Sequence, residues 1–235
     1  MSAARFPLVM LAGMMCDARL FHPQIAAISR SRAVHLAPIT GHATTQALAA
    51  EVLAHAPPRF ALAGLSMGGI VAMEVFAQAP DRIAGLALLD TNPRAELPGI
   101  REGRGPQIEA VQQGALAEVM ADGMIPNYFA EGTEDPAIRD LCMSMARDLG
   151  PQVFVRQSLA LRNRPDRQDV LRQVKVPTLI LCGRGDRLCP VERHRLMQSL
   201  IAGSRLEIIE DAGHLPVLER PDHVNAALLR WLEET

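Results

Sequence analysis

The chain has 235 residues, 49% of them hydrophobic, and a formal net charge of −2, which is typical of one compact α/β domain with a substantial core. The near-neutral charge and the lack of a basic cluster argue against nucleic-acid binding, and no run approaches the roughly 20 apolar residues of a membrane span. We therefore expect a small-molecule partner, with no nucleic acid and no membrane. The sequence leaves the oligomeric state open.

The first apolar segment, residues 6–13, follows a single arginine and looks like a short signal peptide. One basic residue is too few for the start of such a peptide, and Met14 and Met15 are not the small residues that a processing site requires. The segment also fits a buried strand, so we expect a cytoplasmic protein.

The four cysteines show neither a zinc spacing nor a dense disulfide framework, which predicts reduced and mostly buried thiols.

Six short apolar segments alternate with helical patterns along the chain. A continuous apolar run bounded by turn residues is typical of a strand buried on both faces, and the alternation with helices predicts a parallel sheet. We therefore predict an α/β, doubly wound fold with a mostly parallel sheet of about six strands. The predicted strands are residues 8–11, 33–39, 60–65, 82–90, 177–182 and 205–209.

Between residues 91 and 174 the alternation stops, and only helical patterns separated by proline and glycine remain. A helical block between two strands of a parallel sheet predicts a lid over the strand ends. We therefore assign residues 1–90 and 175–235 to the core domain and residues 91–174 to a helical lid. Arginines in the lid are balanced by acidic residues, so we expect most of them to be solvated. Helices are predicted at residues 108–120, 136–149, 152–161 and 166–174 in the lid, and at 67–78, 190–200 and 216–231 in the core.

A serine stands at the sharpest turn that the sequence predicts. Gly64-Leu65-Ser66-Met67-Gly68 joins the third strand directly to a helix, and glycines occur where side chains would collide. Such an elbow exposes the serine hydroxyl at the tip of a strained turn, and the N–H of Met67 points the same way. The pattern predicts a nucleophile, Ser66, and half of an oxyanion hole.

A serine nucleophile needs a base and a carboxylate that orients the base. His214 follows the last strand and Asp186 follows the strand before it, so both reach the edge of the sheet where Ser66 lies. The chain order Ser66, Asp186, His214 matches that of nucleophile-elbow enzymes. Asp90 ends the fourth strand and is the rival for the acid. We do not expect the base among the other histidines, which are His22, His35, His42, His55, His194 and His223.

The elbow, the apolar run that leads to Gly183-Arg184-Gly185-Asp186, and Ala212-Gly213-His214 together resemble the α/β-hydrolase superfamily over nearly the whole chain. Many members carry His-Gly before the oxyanion residue, where this chain has Ala12-Gly13. A second departure is that the first strand begins at about residue 8, so we expect the antiparallel hairpin that often opens the fold to be absent. The resemblance favours Asp186 over Asp90, because the turn before Asp186 resembles the family's acid loop. The second oxyanion amide is expected in the loop after the first strand, at Met14, with Met15 as the alternative.

We therefore predict a serine hydrolase that cleaves an ester or thioester of a small to medium, apolar acyl group through Ser66, His214 and Asp186. The mechanism needs no cofactor and no metal. The abundance of methionine, at positions such as 14, 67 and 124, favours an adaptable apolar pocket. A cofactor-free lyase or C–C bond hydrolase on the same triad is the alternative, and a ligand-binding receptor of this fold is a third possibility. A serine where haloalkane dehalogenases have aspartate argues against that activity.

Overall fold

The computed structural model describes residues 5–235 and contains six parallel strands in one open sheet, in the order β2-β1-β3-β4-β5-β6. The predicted fold class is confirmed. The strands are β1 (Leu8–Leu11), β2 (Val34–Leu36), β3 (Phe60–Leu65), β4 (Ile83–Leu89), β5 (Thr178–Gly183) and β6 (Arg205–Ile209).

The four central strands, β1, β3, β4 and β5, are buried along their whole length, as their continuous apolar sequences predict. The edge strands β2 and β6 are only partly buried. β2 is also shorter than the predicted segment 33–39, since only β1 pairs with it.

All four cysteines are free thiols, and Cys16, Cys142 and Cys182 are buried. Within residues 5–235, we find no helix whose length and hydropathy would let it span a membrane.

Helices flank the sheet: α1 packs against α10, and α2 packs against α3. Between β4 and β5 the described chain forms only helices and turns. The helices are α1 (His22–Ile28), α2 (Thr45–His55), α3 (Met67–Gln78), α4 (Pro98–Gln112), α5 (Leu116–Glu118), α6 (Pro136–Arg162), α7 (Gln168–Leu171), α8 (Val191–Leu200), α9 (Pro216–Glu219) and α10 (Pro221–Leu232). Shorter 3₁₀ turns occur at Ala18–Phe21, Pro80–Arg82 and Ile125–Asn127, and Val119–Met124 forms a π-helical turn.

Five of the predicted helices differ from the structure, including the predicted helix 166–174, which is shortened to α7. α4 begins ten residues before the predicted helix 108–120. The prediction missed the first half of this helix, because that half contains Pro106 and glycines, which have low helix propensity. The predicted helices 136–149 and 152–161 join into α6, which is kinked at Gly150 with φ 79° and ψ 175°. The predicted helix 216–231 divides into α9 and α10 at Arg220, the residue before a proline.

Gly64 is the tightest point between β3 and α3, since a Cβ built there would lie 2.3 Å from the carbonyl oxygen of Gly68. We expect Gly64→Ala to lower the free energy of unfolding by about 3 kcal/mol, because backbone atoms must move to admit the methyl group. Gly103→Ala is the matched control: nothing lies within 4 Å of a Cβ built there. It should raise stability by up to about 1 kcal/mol through helix propensity. Urea unfolding measures both, and equal effects would contradict the packing argument.

Candidate active site

Ser66 occupies a strained turn between β3 and α3, with φ 54° and ψ −116°. Its amide donates to the carbonyl of Leu89 at 2.9 Å, and its carbonyl accepts the Thr91 hydroxyl at 2.7 Å. These bonds stabilise a conformation that costs about 1–3 kcal/mol for a residue other than glycine. Met15, Asp90 and Asp211 also have positive φ, and each of them follows a strand. Backbone strain is thus concentrated at the carboxyl edge of the sheet.

The structure brings Ser66, His214 and Asp186 into one hydrogen-bonded series. The Nε2 atom of His214 lies 2.9 Å from the Ser66 hydroxyl oxygen, and its Nδ1 atom lies 2.8 Å from Oδ2 of Asp186. Both members of the imidazole–carboxylate pair are buried. The acid and histidine loops approach closely because Gly183 has no side chain: a Cβ there would lie 1.9 Å from the carbonyl oxygen of Gly213. This geometry is suited to proton transfer from the serine.

Asp186 is held as a carboxylate. Its Oδ1 atom accepts the amides of Leu188 at 2.8 Å and Cys189 at 2.9 Å, while Oδ2 faces the imidazole. Burial raises the pKa of this carboxyl group, but the charge and hydrogen bond of His214 and the two amides lower the pKa below its usual value. Asp186 therefore carries negative charge at neutral pH.

Asp90, the rival acid, lies in the same region but has a different environment. Its Oδ1 atom accepts the amide of Gly183 at 2.9 Å, and its buried Oδ2 atom has no hydrogen-bond partner among residues 5–235. Burial, followed by the negative charge of Asp186, raises the pKa of Asp90 well above its usual value. Burial thus disfavours the charged form of Asp90, and the imidazole contacts Asp186 instead.

Glu219 and Tyr128 hold the histidine loop, and sequence reasoning missed both. The carboxylate of Glu219 accepts the amides of Gly213 and Leu215, at 2.9 and 3.0 Å, on either side of His214. The carbonyl of Tyr128 accepts the His214 amide at 2.7 Å, and the two rings are 5.9 Å apart. Glu219 lies five residues after the histidine, a spacing that marks no motif, so no sequence signal distinguished it.

The two amides predicted for the oxyanion hole lie beside the serine. Met67 is the first residue of α3, so its N–H has no carbonyl one turn earlier in the helix. A Cβ built on Gly13 would lie 3.6 Å from Cβ of Ser66, which places the loop that carries Met14 against Ser66. The alternative donor, Met15, is already engaged: its amide donates to Oε1 of Gln157 at 2.9 Å. This contact favours Met14.

His194 is buried and has a structural environment. Its Nε2 atom accepts the Thr91 amide at 3.1 Å, and Thr91 in turn binds the carbonyl of Ser66. Burial lowers the pKa of His194 to about 4, so it stays neutral and can accept this bond. His194 therefore supports the elbow from behind, in keeping with the expectation that it is not the base.

A cavity of about 390 Å³ opens above the serine. Met14, Met67 and Met124 line it, whereas Met120 and Met145, which lie in the predicted lid segment, are buried in the core. Its other apolar lining includes Leu65, Ile70, Leu97, Ile100, Leu161 and Leu188. The cavity is thus large enough for a small to medium ligand and has a largely apolar lining.

Asp186, Cys189 and His214 are the group of described residues that comes nearest to a metal-ligand set, with one donor atom each within 4.8 Å. Both imidazole nitrogens already face Asp186 and Ser66. Partial burial, followed by the nearby negative charge of Asp186, raises the pKa of the Cys189 thiol above its usual value, which opposes formation of the thiolate that a metal requires. The donor atoms therefore suit a hydrogen-bonded triad better than a metal site.

Gln157 offers a test of the oxyanion loop, because it is fully buried, accepts from Met15 and donates to the carbonyl of Ile39 at 3.0 Å. We expect Gln157→Leu to lower kcat about tenfold with little change in KM, since the loop loses the bond that fixes it. The control is Ser158→Ala, which removes a buried hydroxyl that has no partner in the described chain. Lower stability with unchanged kcat would show that Gln157 is only a packing residue.

The model of the alpha/beta hydrolase family matches residues 8–227. The chain therefore belongs to the alpha/beta hydrolase family, and the prediction of an α/β-hydrolase enzyme is confirmed. Among its relatives, the pimeloyl-[acyl-carrier protein] methyl ester esterase of Xanthomonas oryzae pv. oryzae is 28% identical, over 96% of this chain and 94% of the relative. The enzyme of the same name from Methylococcus capsulatus is 30% identical, over 77% and 73%.

Solved structures agree with this assignment. A thermophilic esterase from Thermogutta terrifontis, with malate bound, superimposes with a TM-score of 0.89 and is 31% identical, covering 98% of this chain and 91% of that chain. An enol-lactonase from Burkholderia xenovorans gives a TM-score of 0.86 at 24% identity, covering 100% of this chain and 94% of that chain, and shows the shared fold.

Proposed function

We propose that this protein hydrolyses a carboxylic ester or thioester of a small to medium, largely apolar acyl group through an acyl-enzyme on Ser66. The observation that carries the proposal is the series Ser66–His214–Asp186, with hydrogen-bond distances of 2.9 and 2.8 Å, at the base of a cavity. The esterase names of its relatives support the reaction class. The apolar cavity lining supports the class of acyl group.

In this mechanism the Ser66 oxygen attacks the substrate carbonyl while Nε2 of His214 takes the hydroxyl proton. The Met14 and Met67 amides stabilise the negative charge on the carbonyl oxygen, and Asp186 stabilises the imidazolium ion. His214 then gives the proton to the leaving alcohol or thiol. Water, activated by His214, attacks the acyl-enzyme and releases the acid, which regenerates Ser66.

We also infer that residues 91–174 act as a lid over the catalytic edge. Support comes from Arg104, Met124 and Leu161, which lie in this segment and line the cavity above Ser66. Gln157 ties the same segment to the oxyanion loop through its bond to Met15. The helices between β4 and β5 therefore take part in both substrate recognition and positioning of the loop.

A fluorophosphonate probe tests the acyl-enzyme directly. Peptide mass spectrometry should find the probe on Ser66, and p-nitrophenyl esters of increasing chain length should give a burst of one nitrophenolate per enzyme molecule when deacylation is slower than acylation. Labelling that is absent, together with no ester turnover, would reject the proposal. That result would favour the lyase alternative, in which the serine forms no acyl-enzyme.

A further inference from the structure

A cluster of three charged side chains, Glu96, Arg104 and Arg164, forms part of the cavity wall and has no role in the mechanism above. Glu96 follows β4, Arg104 lies on α4, and Arg164 follows α6. The side chains are 2%, 13% and 9% exposed, respectively. The sequence predicted mostly solvated arginines in this segment, and these two differ from that expectation.

The cluster carries one positive charge in excess. Arg104 binds the Glu96 carboxylate through Nε and a second nitrogen, and Arg164 binds the same carboxylate at 2.6 Å. Burial alone raises the pKa of Glu96, but the bonds and charges of the two arginines lower it below its usual value, so Glu96 is ionised. Within residues 5–235, no second carboxylate lies within ion-pair distance of either guanidinium group.

Each guanidinium group keeps one nitrogen without an oxygen acceptor in the described part of the chain. These nitrogens are NH1 of Arg104 and NH2 of Arg164, since Nε of Arg164 donates to the carbonyl of Arg94 at 3.0 Å and its NH1 donates to Glu96. The NH1 nitrogen of Arg104 faces the Met14 sulfur at 4.0 Å, a weak contact beside the oxyanion loop. Arg187 and Arg193 also line the cavity, and neither is paired with a carboxylate in the described part of the chain. The cavity wall thus combines four arginines with one glutamate.

From this arrangement we propose that the substrate is an ester that also carries a carboxylate, which binds to Arg104 and Arg164 while the ester carbonyl lies at Ser66. This inference rests on the proposed esterase function and adds the charge of the substrate. The free nitrogens of Arg104 and Arg164 can each donate one charge-assisted hydrogen bond to the same carboxylate. One carboxylate balances the single excess charge of the cluster. Apolar residues that line the same cavity would contact the carbon chain that joins the two groups.

Binding to the Ser66→Ala protein tests the inference without turnover. Titration calorimetry compares two matched pairs: methyl hydrogen adipate with methyl 5-carbamoylpentanoate, and 4-acetoxybenzoate with 4-acetoxybenzamide. The first pair places the charge on the acyl part, and the second places it on the alcohol part. In at least one pair, the anion should bind about 10- to 100-fold more tightly than its neutral amide.

The preference should fall to about twofold or less when Arg104→Gln or Arg164→Gln is added, because each removes one charge-assisted donor. Arg139→Gln is the control: this arginine is 41% exposed on α6 and pairs with Glu134. If both cavity variants fail to fold, the affinities are measured again at different salt concentrations. The preference of the Ser66→Ala protein for the anion over the amide should weaken between about 0.05 and 0.5 M KCl.

Equal binding of anion and amide in both pairs, or a preference that Arg104→Gln and Arg164→Gln leave unchanged, would overturn the inference. Failure of the proposed function has a different signature: Ser66 would not react with the fluorophosphonate probe, whatever the charge preference. The two results are read from separate experiments, so one proposal can fail while the other stands.

Discussion

Replacing Ser66 with alanine is expected to lower kcat for ester hydrolysis by about 10⁶-fold, which is the effect of removing a serine nucleophile from a working triad. The side chain of Ser66 contacts Nε2 of His214, whereas the bonds that hold the elbow use the backbone of Ser66. The variant should therefore fold normally. Its residual rate above the uncatalysed reaction would come from the two oxyanion amides.

Steady-state kinetics with p-nitrophenyl butyrate measures this loss, and thermal unfolding checks the fold. Ser199→Ala is a suitable control, since its hydroxyl donates to the carbonyl of Leu196 on the exposed side of α8. Ester hydrolysis that persists in the Ser66→Ala protein would move the chemistry to another group and refute the acyl-enzyme.

The proximity of Ser66, Asp186 and His214 could be predicted because they lie one, three and five residues after the ends of three strands. In a parallel sheet the carboxyl ends of the strands meet at one edge. Local sequence carries that information: an apolar run, a turn and a polar residue. Local sequence does not reveal the groups that position these three residues. Gln157 lies 142 residues from Met15, which accounts for its absence from any sequence motif. Such contacts depend on how α6 packs, which periodicity alone does not specify.

The choice between the two acids shows the same limit. Asp90 and Asp186 both end strands, so position alone left them as rivals, and only the resemblance to a family favoured Asp186. The structure adds the physical difference: Asp186 contacts two amides and the imidazole, while burial raises the pKa of Asp90 and disfavours its charged form. The charge of the cavity was missed for a related reason, because Arg104 and Arg164 are far apart in sequence and meet only at Glu96.

Asp90→Asn should therefore retain most activity and gain stability. The raised pKa of Asp90 means that the folded state holds this proton more tightly than the unfolded chain does. The free energy of unfolding therefore decreases as the pH rises from about 4, the usual aspartate pKa, to the pKa of Asp90 in the folded state. The asparagine protein lacks this loss, so its advantage in urea unfolding should grow from about pH 4 toward neutrality. Its Oδ1 atom can still accept the Gly183 amide.

Asp186→Asn should lower kcat by about 10⁴-fold with the fold retained. The amides of Leu188 and Cys189 require an acceptor at the Oδ1 position, so the asparagine oxygen must stay there and its NH₂ group must face His214. Nδ1 of the imidazole must then accept, which moves the ring proton to Nε2. A protonated Nε2 is unable to accept the Ser66 proton. Comparable losses in Asp90→Asn and Asp186→Asn, measured as kcat/KM, would overturn the assignment of the acid to Asp186.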